Sequence, residues 1–383
     1  MTDDSILFTP FKIKNLSLKN RITMAPLYVG YANPDGTVSD LTLDHYKEMA
    51  SSGAAMVVVE SAIVNQAASG TPSTMRVDDD QFVEGLSQLA RTIKDQGALA
   101  IQQINHPGKF AFSPEPLAPT GGPDGALPKE MSMEDIDRTV EDFAGAAARV
   151  KASGFDGVEI HGGTGYLIDQ FISPHTNKRN DDYGGSLENR MRFPLRVFEA
   201  IQEAVGSNFP VGHRFMAYEA VPGGLEVQES SIWAAELEKR GVAYLSVMFG
   251  TYESFMLPEY SEADRTEGFM APYAGEIKKA ASNTPIITAG RIQSPETAEE
   301  ILEDGTADLI GLARVLLADP LWPQKAAGKV SEPIIRCEPT CNLCMIRVMS
   351  VKPVFCSQWS KERREAFLLR VGEKPEEVDQ SAG

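Results

Sequence analysis

The sequence predicts an α/β fold, a (β/α)8 TIM barrel with a short cysteine-rich C-terminal extension. Three observations predict it. Eight short apolar, β-branched runs alternate with amphipathic helical stretches along the chain. No glycine-rich turn follows the first run, as it would in a doubly wound open sheet; Pro26, Leu27 and Tyr28 stand there instead. All four cysteines (Cys337, Cys341, Cys344 and Cys356) fall in the last fifth of the 383 residues, outside the repeating pattern.

Taken in order, residues 7–19 alternate apolar and polar side chains, which predicts a hairpin closing the bottom of the barrel. The strand candidates are residues 22–25, 55–60, 98–104, 157–161, 211–215, 244–247, 285–289 and 309–311. Helical periodicity is clearest over 133–153, 232–240 and 295–304. Residues 1–330 therefore make the barrel, and residues 331–383 make the cysteine-rich extension and tail. The charged stretch after Trp359 predicts a surface helix and a frayed tail over 379–383.

The formal net charge of −18 argues against a general affinity for nucleic acid or an anionic membrane surface. Met1 to Asp4 are mostly polar or acidic, and no apolar run is long enough to span a bilayer. A soluble, cytoplasmic protein is the expectation, and a homo-oligomer stays open.

In such a barrel the chemistry sits where the strands end. The fourth run ends in His161, Gly162, Gly163, Thr164, Gly165, Tyr166. Glycines there make a tight, exposed loop. His161 can donate a hydrogen bond to a developing oxyanion. Tyr166, with an ordinary pKa near ~10, stays protonated at neutral pH and can give up a proton in catalysis. The plainer reading is a satisfied strand-end histidine and a tyrosine packed at a helix start.

The segment 154–193, GFDGVEIHGGTGYLIDQFISPHTNKRNDDYGGSLENRMRF, resembles the signature of the Old Yellow Enzyme family. There a strand-end His is followed by Gly-Tyr-Leu and then by Asn-x-Arg-x-Asp-x-Tyr-Gly-Gly-Ser-x-Glu-Asn-Arg. The opening LFTPFKIKNLSLKNRITMAPL and the late ADLIGLARVLLADPLWPQK are similar to the family's first hairpin and last strand. The resemblance implies bound FMN, with NADH or NADPH as the direct or indirect electron source. Ala25, Pro26, Leu27 and Tyr28 would face the flavin ring. Gln103 would contact its pyrimidine edge, and Arg214 would stand near N1, where a cation stabilises the anionic reduced flavin. Ala289, Gly290 and Arg291 after the seventh strand, with Gly311, Ala313 and Arg314 after the eighth, would hold the phosphate.

The implied reaction is reduction of an activated carbon–carbon double bond in an enoyl thioester or conjugated carbonyl. Hydride would come from FMN N5 and a proton from Tyr166. His161, helped by Thr164, would hold the carbonyl oxygen. The sequence departs from the family in three places: Thr164 replaces the usual His or Asn, Tyr28 stands where Thr or Cys is common, and Lys109 replaces an arginine. Val348 stands where the amine dehydrogenase branch has a tryptophan. The loop VMFGTYESFMLPE resembles that of bacterial 2,4-dienoyl-CoA reductases, which makes Tyr252 a second proton-relay candidate.

The cysteines are separated by three, two and eleven residues, a spacing that suits a [4Fe-4S] cluster or a structural zinc. The branch containing dienoyl-CoA reductases and trimethylamine dehydrogenase carries a [4Fe-4S] cluster at this point, so the resemblance favours the cluster. Only 27 residues follow Cys356, fewer than a βαβ unit of roughly 30, and a separate reductase or ferredoxin-like donor is expected. Two rival functions are oxidative N-demethylation of an amine and electron carriage without a substrate.

Overall fold

The computed structural model describes residues 5–66 and 69–375. The polar opening Met1 to Asp4 and the tail 379–383 lie outside the described residues. Eight parallel strands close into a barrel: β1 (Ile22–Met24), β2 (Met56–Ile63), β3 (Leu99–Asn105), β4 (Gly157–Gly162), β5 (Val211–Tyr218), β6 (Leu245–Phe249), β7 (Ile286–Thr288) and β8 (Leu309–Leu312). Each pairs with its sequence neighbours, and β8 closes on β1 with Ile310 opposite Ile22. The open-sheet alternative is thereby excluded.

The predicted strand ends move by a few residues. Ala25 and Ala289 lie one residue beyond β1 and β7, whereas β2 and β5 run three residues further than the apolar runs suggested. These added residues, at the mouth of the barrel, are where site residues are recruited. The helix read at 232–240 begins earlier, at Val227, because its first turn is polar and gives no apolar period.

Helix starts follow local chemistry. Ser132 caps Met133–Ala152 in a capping box with Asp135, Ser186 caps Leu187–Val205, and Ser294 caps Pro295–Glu303, whose proline fits the first turn. The hairpin pairs Phe11–Ile13 with Leu16–Leu18. Its buried Ile13, Leu16 and Leu18 pack on Met56, Ile101 and Leu309 at the strand starts, plugging the end opposite the site.

The extension packs on the barrel's first loop. Val29, Tyr31 and Leu317 form one apolar cluster with Val354, Phe355, Trp359, Phe367 and Leu368. The Val354 N–H donates to Val29 O at 2.9 Å, and the Trp359 indole donates to Leu317 O at 2.7 Å. The expected surface helix, Lys361–Arg370, buries Phe367 and Leu368 in this cluster. Among the described residues no helix is long and apolar enough to cross a membrane.

Candidate active site

The loop leaving β4 presses closely against β6. A Cβ on Gly163 would come within 2.1 Å of Met248 Sδ, so glycine lets the loop lie there. Thr164 follows in the left-handed region (φ 61°), which a β-branched residue rarely adopts. A bridge to Thr251 and a hydrogen bond from Gly165 N to Asp169 Oδ2 (2.9 Å) hold this turn. The Thr164 hydroxyl is spent on Met248 Sδ at 3.7 Å.

His161, at the end of β4, is 9% exposed. The Gly163 N–H donates to its Nδ1 at 3.3 Å, so the proton of the neutral ring sits on Nε2. Burial, then the charges of Arg214 and His213, push its pKa down to about 3. At neutral pH it is an uncharged donor.

Tyr166 stands edge-on to His161, with ring centroids 4.8 Å apart. Its hydroxyl lies 2.7 Å from that of Tyr252. Burial and then Tyr252 push the Tyr166 pKa well above the usual value. Burial also raises Tyr252, but there the shared hydrogen bond works the other way. Both hydroxyls therefore keep their protons at neutral pH. Lys109 lies outside this pair, 3.9 Å from Glu253.

Beneath lies a polar floor in which the expected Gln103 and Arg214 meet Glu159 and Ser246, two residues the sequence reading missed. Gln103 Nε2 donates to Glu159 Oε1 at 2.8 Å, and Arg214 Nη1 donates to Ser246 Oγ at 2.8 Å. Burial raises the Glu159 pKa, opposed by Arg214 and Gln103; burial lowers that of Arg214, opposed by Glu159. Glu60 is a second buried carboxyl. It accepts from Val29 N (2.9 Å) and Gly30 N (3.4 Å), fixing the loop after Ala25, Pro26, Leu27 and Tyr28, and burial pushes its pKa up to about 7. The only sequence signal for either was an acid inside an apolar run.

At the other side of the mouth, Gly290 (φ 101°) lets the β7 loop pass, since a Cβ would meet Met270 N at 2.9 Å. Gly311 and Ala313 lead into the short helix Arg314–Ala318. Asp264 joins the two arginines: its carboxylate accepts from Arg291 Nη2 at 2.8 Å and from Arg314 Nη2 at 2.6 Å. The Arg291 side chain is otherwise spent on Asp264 O and on Cys337 O at 3.4 Å. Arg314 keeps the more open side chain, 31% exposed against 2% for Arg291.

All four cysteines are free and partly buried. Cys341 Sγ lies 3.1 Å from Ser357 Oγ, and Gln358 N donates to Cys356 Sγ at 3.4 Å. Burial raises the thiols of Cys337, Cys344 and Cys356, the last to about 11, with the other cysteines adding to the rise at Cys344 and Cys356. Among the described residues no three His, Cys, Asp or Glu side chains converge as ligands of one metal ion.

A cavity of about 280 Å³ opens over Tyr166 and Tyr252. Phe110 and Phe112 flank it, and Val348 and Met349 of the helix Leu343–Met349 form another wall. No charged side chain among the described residues lines it. The long motif 177–190 turns out to brace the loops around the mouth. Asn177 Nδ2 donates to Phe171 O and Tyr183 O, and Arg179 Nη1 donates to Pro119 O and Met131 O.

A family model described as NADH:flavin oxidoreductase / NADH oxidase family matches residues 6–332. The chain is 40% identical to an NADH oxidase of Thermoanaerobacter brockii over 98% of its own length and 59% of the relative's. Among solved structures, a 2-naphthoyl-CoA reductase in complex with 2-naphthoyl-CoA superposes with a TM-score of 0.87 at 29% identity, covering 92% of this chain and 57% of that one. A histamine dehydrogenase from Rhizobium sp. 4-9 gives 0.82 at 28% identity, covering 94% and 53%. The chain thus spans a little over half the length of these proteins.

Proposed function

The chain belongs to the NADH:flavin oxidoreductase / NADH oxidase family, and on that premise we propose that it reduces an activated carbon–carbon double bond conjugated to a carbonyl or thioester. It is an FMN-dependent oxidoreductase by family. The observation that carries the finer reading is the Tyr166–Tyr252 hydroxyl pair at 2.7 Å, facing a cavity without charged walls.

The residues present fit FMN. Gly290 leaves backbone room at the β7 loop, Arg314 offers a guanidinium already paired with a carboxylate, and Arg214 is a half-buried cation midway along β5. Ala25, Pro26, Leu27, Tyr28, Gln103 and Arg214 would hold the ring; Ala289, Gly290, Arg291, Gly311, Ala313 and Arg314 would hold the phosphate. FMN held there would supply the hydride chemistry. His161 donates its Nε2 proton in a hydrogen bond to the carbonyl oxygen as enolate charge develops. Tyr166 gives its proton to the α-carbon, and Tyr252 orients that hydroxyl. Thr164 acts through Met248, by position.

Residues 331–383 form, on this reading, an accessory segment on a barrel of residues 1–330. Its four thiols, free and partly buried, would hold a [4Fe-4S] cluster, with a structural zinc as the alternative. The cluster would supply one-electron transfer, with a separate reductase or ferredoxin-like donor as one source.

The similarity to histamine dehydrogenase favours amine oxidation as a second reading. Against it, no carboxylate among the described residues lines the cavity, and Val348 stands where the amine dehydrogenase branch carries its tryptophan. Anaerobic reduction by NADH or NADPH, followed by mixing with cinnamaldehyde or an enoyl thioester, tests the first reading; mixing the oxidised protein anaerobically with a methylamine and following flavin reduction tests the second. Reoxidation by an alkene with the saturated product formed is expected; reoxidation by none of the alkenes refutes the proposal.

A further inference from the structure

The cavity has one wall that the reaction above does not use. Asn105 ends β3, is 2% exposed and lines the cavity, and its Oδ1 has no hydrogen-bond partner among the described residues. The same lining holds Tyr28 and Thr71, whose hydroxyls hydrogen-bond each other. Thr71 passes the chain on to Thr74 Oγ1 at 3.1 Å. Gly70 makes room for that side chain, since a Cβ there would come within 2.6 Å of Thr74 Oγ1. Three linked hydroxyls and the Asn105 side chain thus share the lining of a cavity otherwise walled by aromatic and aliphatic groups, apart from Ser61, Tyr166 and Tyr252.

A buried acceptor left unpaired is costly, and a ligand that supplies the missing donor recovers that cost. A carbonyl or ether oxygen cannot do so; a hydroxyl can. The hydroxyl chain can then accept from, or donate to, the same ligand, because either atom of each pair can be the donor.

We propose that Asn105, with Tyr28 and Thr71, recognises a hydroxyl group on the substrate, so that the preferred substrate is a neutral conjugated carbonyl bearing a hydroxyl away from its double bond. This rests on the reductase reading for the reacting end of the substrate. Its chemistry at the other end is independent of that reading.

The test uses the oxidised, FMN-loaded protein, where no turnover occurs. Isothermal titration calorimetry compares cinnamaldehyde, its 4-methoxy derivative, and its 3- and 4-hydroxy derivatives. At least one hydroxy isomer is expected to bind roughly tenfold more tightly than the other two compounds, since a site built to bond a hydroxyl discriminates against analogues lacking it. In Asn105→Leu that ratio falls to near one. In Thr71→Val, which leaves Asn105 in place, it falls partway. Equal binding of all four compounds, binding of none, or a ratio that survives Asn105→Leu in a variant that retains its FMN overturns the proposal. A hydroxyl preference that depends on Asn105, in a protein that reduces none of these aldehydes, supports the site and refutes the reductase reading.

Discussion

The hydroxyls of Tyr166 and Tyr252 lie 2.7 Å apart although the residues are 86 positions apart in sequence. One comes from the loop after β4 and the other from the loop after β6, so the barrel itself assembles the pair. Tyr166→Phe is expected to slow alkene reduction by roughly 10²–10⁴-fold, the range for loss of a general acid. Tyr252→Phe, which removes only the orienting partner, costs about tenfold, on the scale of one neutral hydrogen bond. Flavin reduction by the nicotinamide should be unchanged in both. Stopped-flow separation of the two half-reactions decides this, and a Tyr166→Phe variant that turns over like wild type removes Tyr166 from the mechanism.

His161 gives a pH prediction. Its pKa is depressed to about 3, so the charged ring forms only well below neutral pH and the neutral donor persists above. The oxidative half-reaction should therefore show no His161 ionisation near the ordinary value of ~6.5. His161→Ala should cost about 10²–10³-fold, as loss of an oxyanion donor does, whereas His161→Asn, another uncharged donor, should retain most of the rate. A step between pH 6 and 7 that disappears in His161→Asn would contradict this.

Asp264 should matter to FMN through its phosphate alone. It holds the Arg314 guanidinium at 2.6 Å and ties it to Arg291. Asp264→Asn is expected to weaken FMN binding by roughly tenfold, at the low end for a charge-assisted hydrogen bond. Riboflavin, which has no phosphate, should bind as before. Fluorescence of flavin released on dilution measures both; equal losses for the two flavins would show a general disturbance of the site.

The cysteine segment is tested by composition. Purified protein should contain about four iron atoms and four acid-labile sulfides per chain, as a [4Fe-4S] cluster requires. Cys344→Ser should lose them while keeping FMN. Zinc at one per chain would identify a structural metal instead. With the cluster present, stopped-flow reduction by NADH and NADPH in wild type and Cys344→Ser shows whether a protein donor is needed. Fast direct reduction in both removes that need.

The barrel was legible because each strand is a short apolar run and each helix repeats its own period; both are local properties. The ends of strands were less so. Gly162 and Tyr218 continue their ladders because a neighbouring strand is there to pair with, which the run itself does not record. The cysteines and the His161–Tyr166 loop stood out through spacing and glycine content. Glu60, Glu159 and Asp264 did not. Each is defined by a partner far along the chain, such as Arg314 for Asp264, fifty positions away. An acid in isolation reads as solvent-facing. Asn105 likewise became informative only once its burial and unpaired oxygen were known.

The helix Leu343–Met349 is seven residues long and carries Cys344 at one end and Val348 and Met349 at the other. Such a length does not sustain itself in water; it is held by what it touches. Reagents that alkylate, oxidise or strip metal from Cys344 therefore act on the wall of the cavity as well. Inhibition by a chelator or a thiol reagent would report a changed entrance as readily as an interrupted current, and only a direct measurement of ligand occupancy tells them apart.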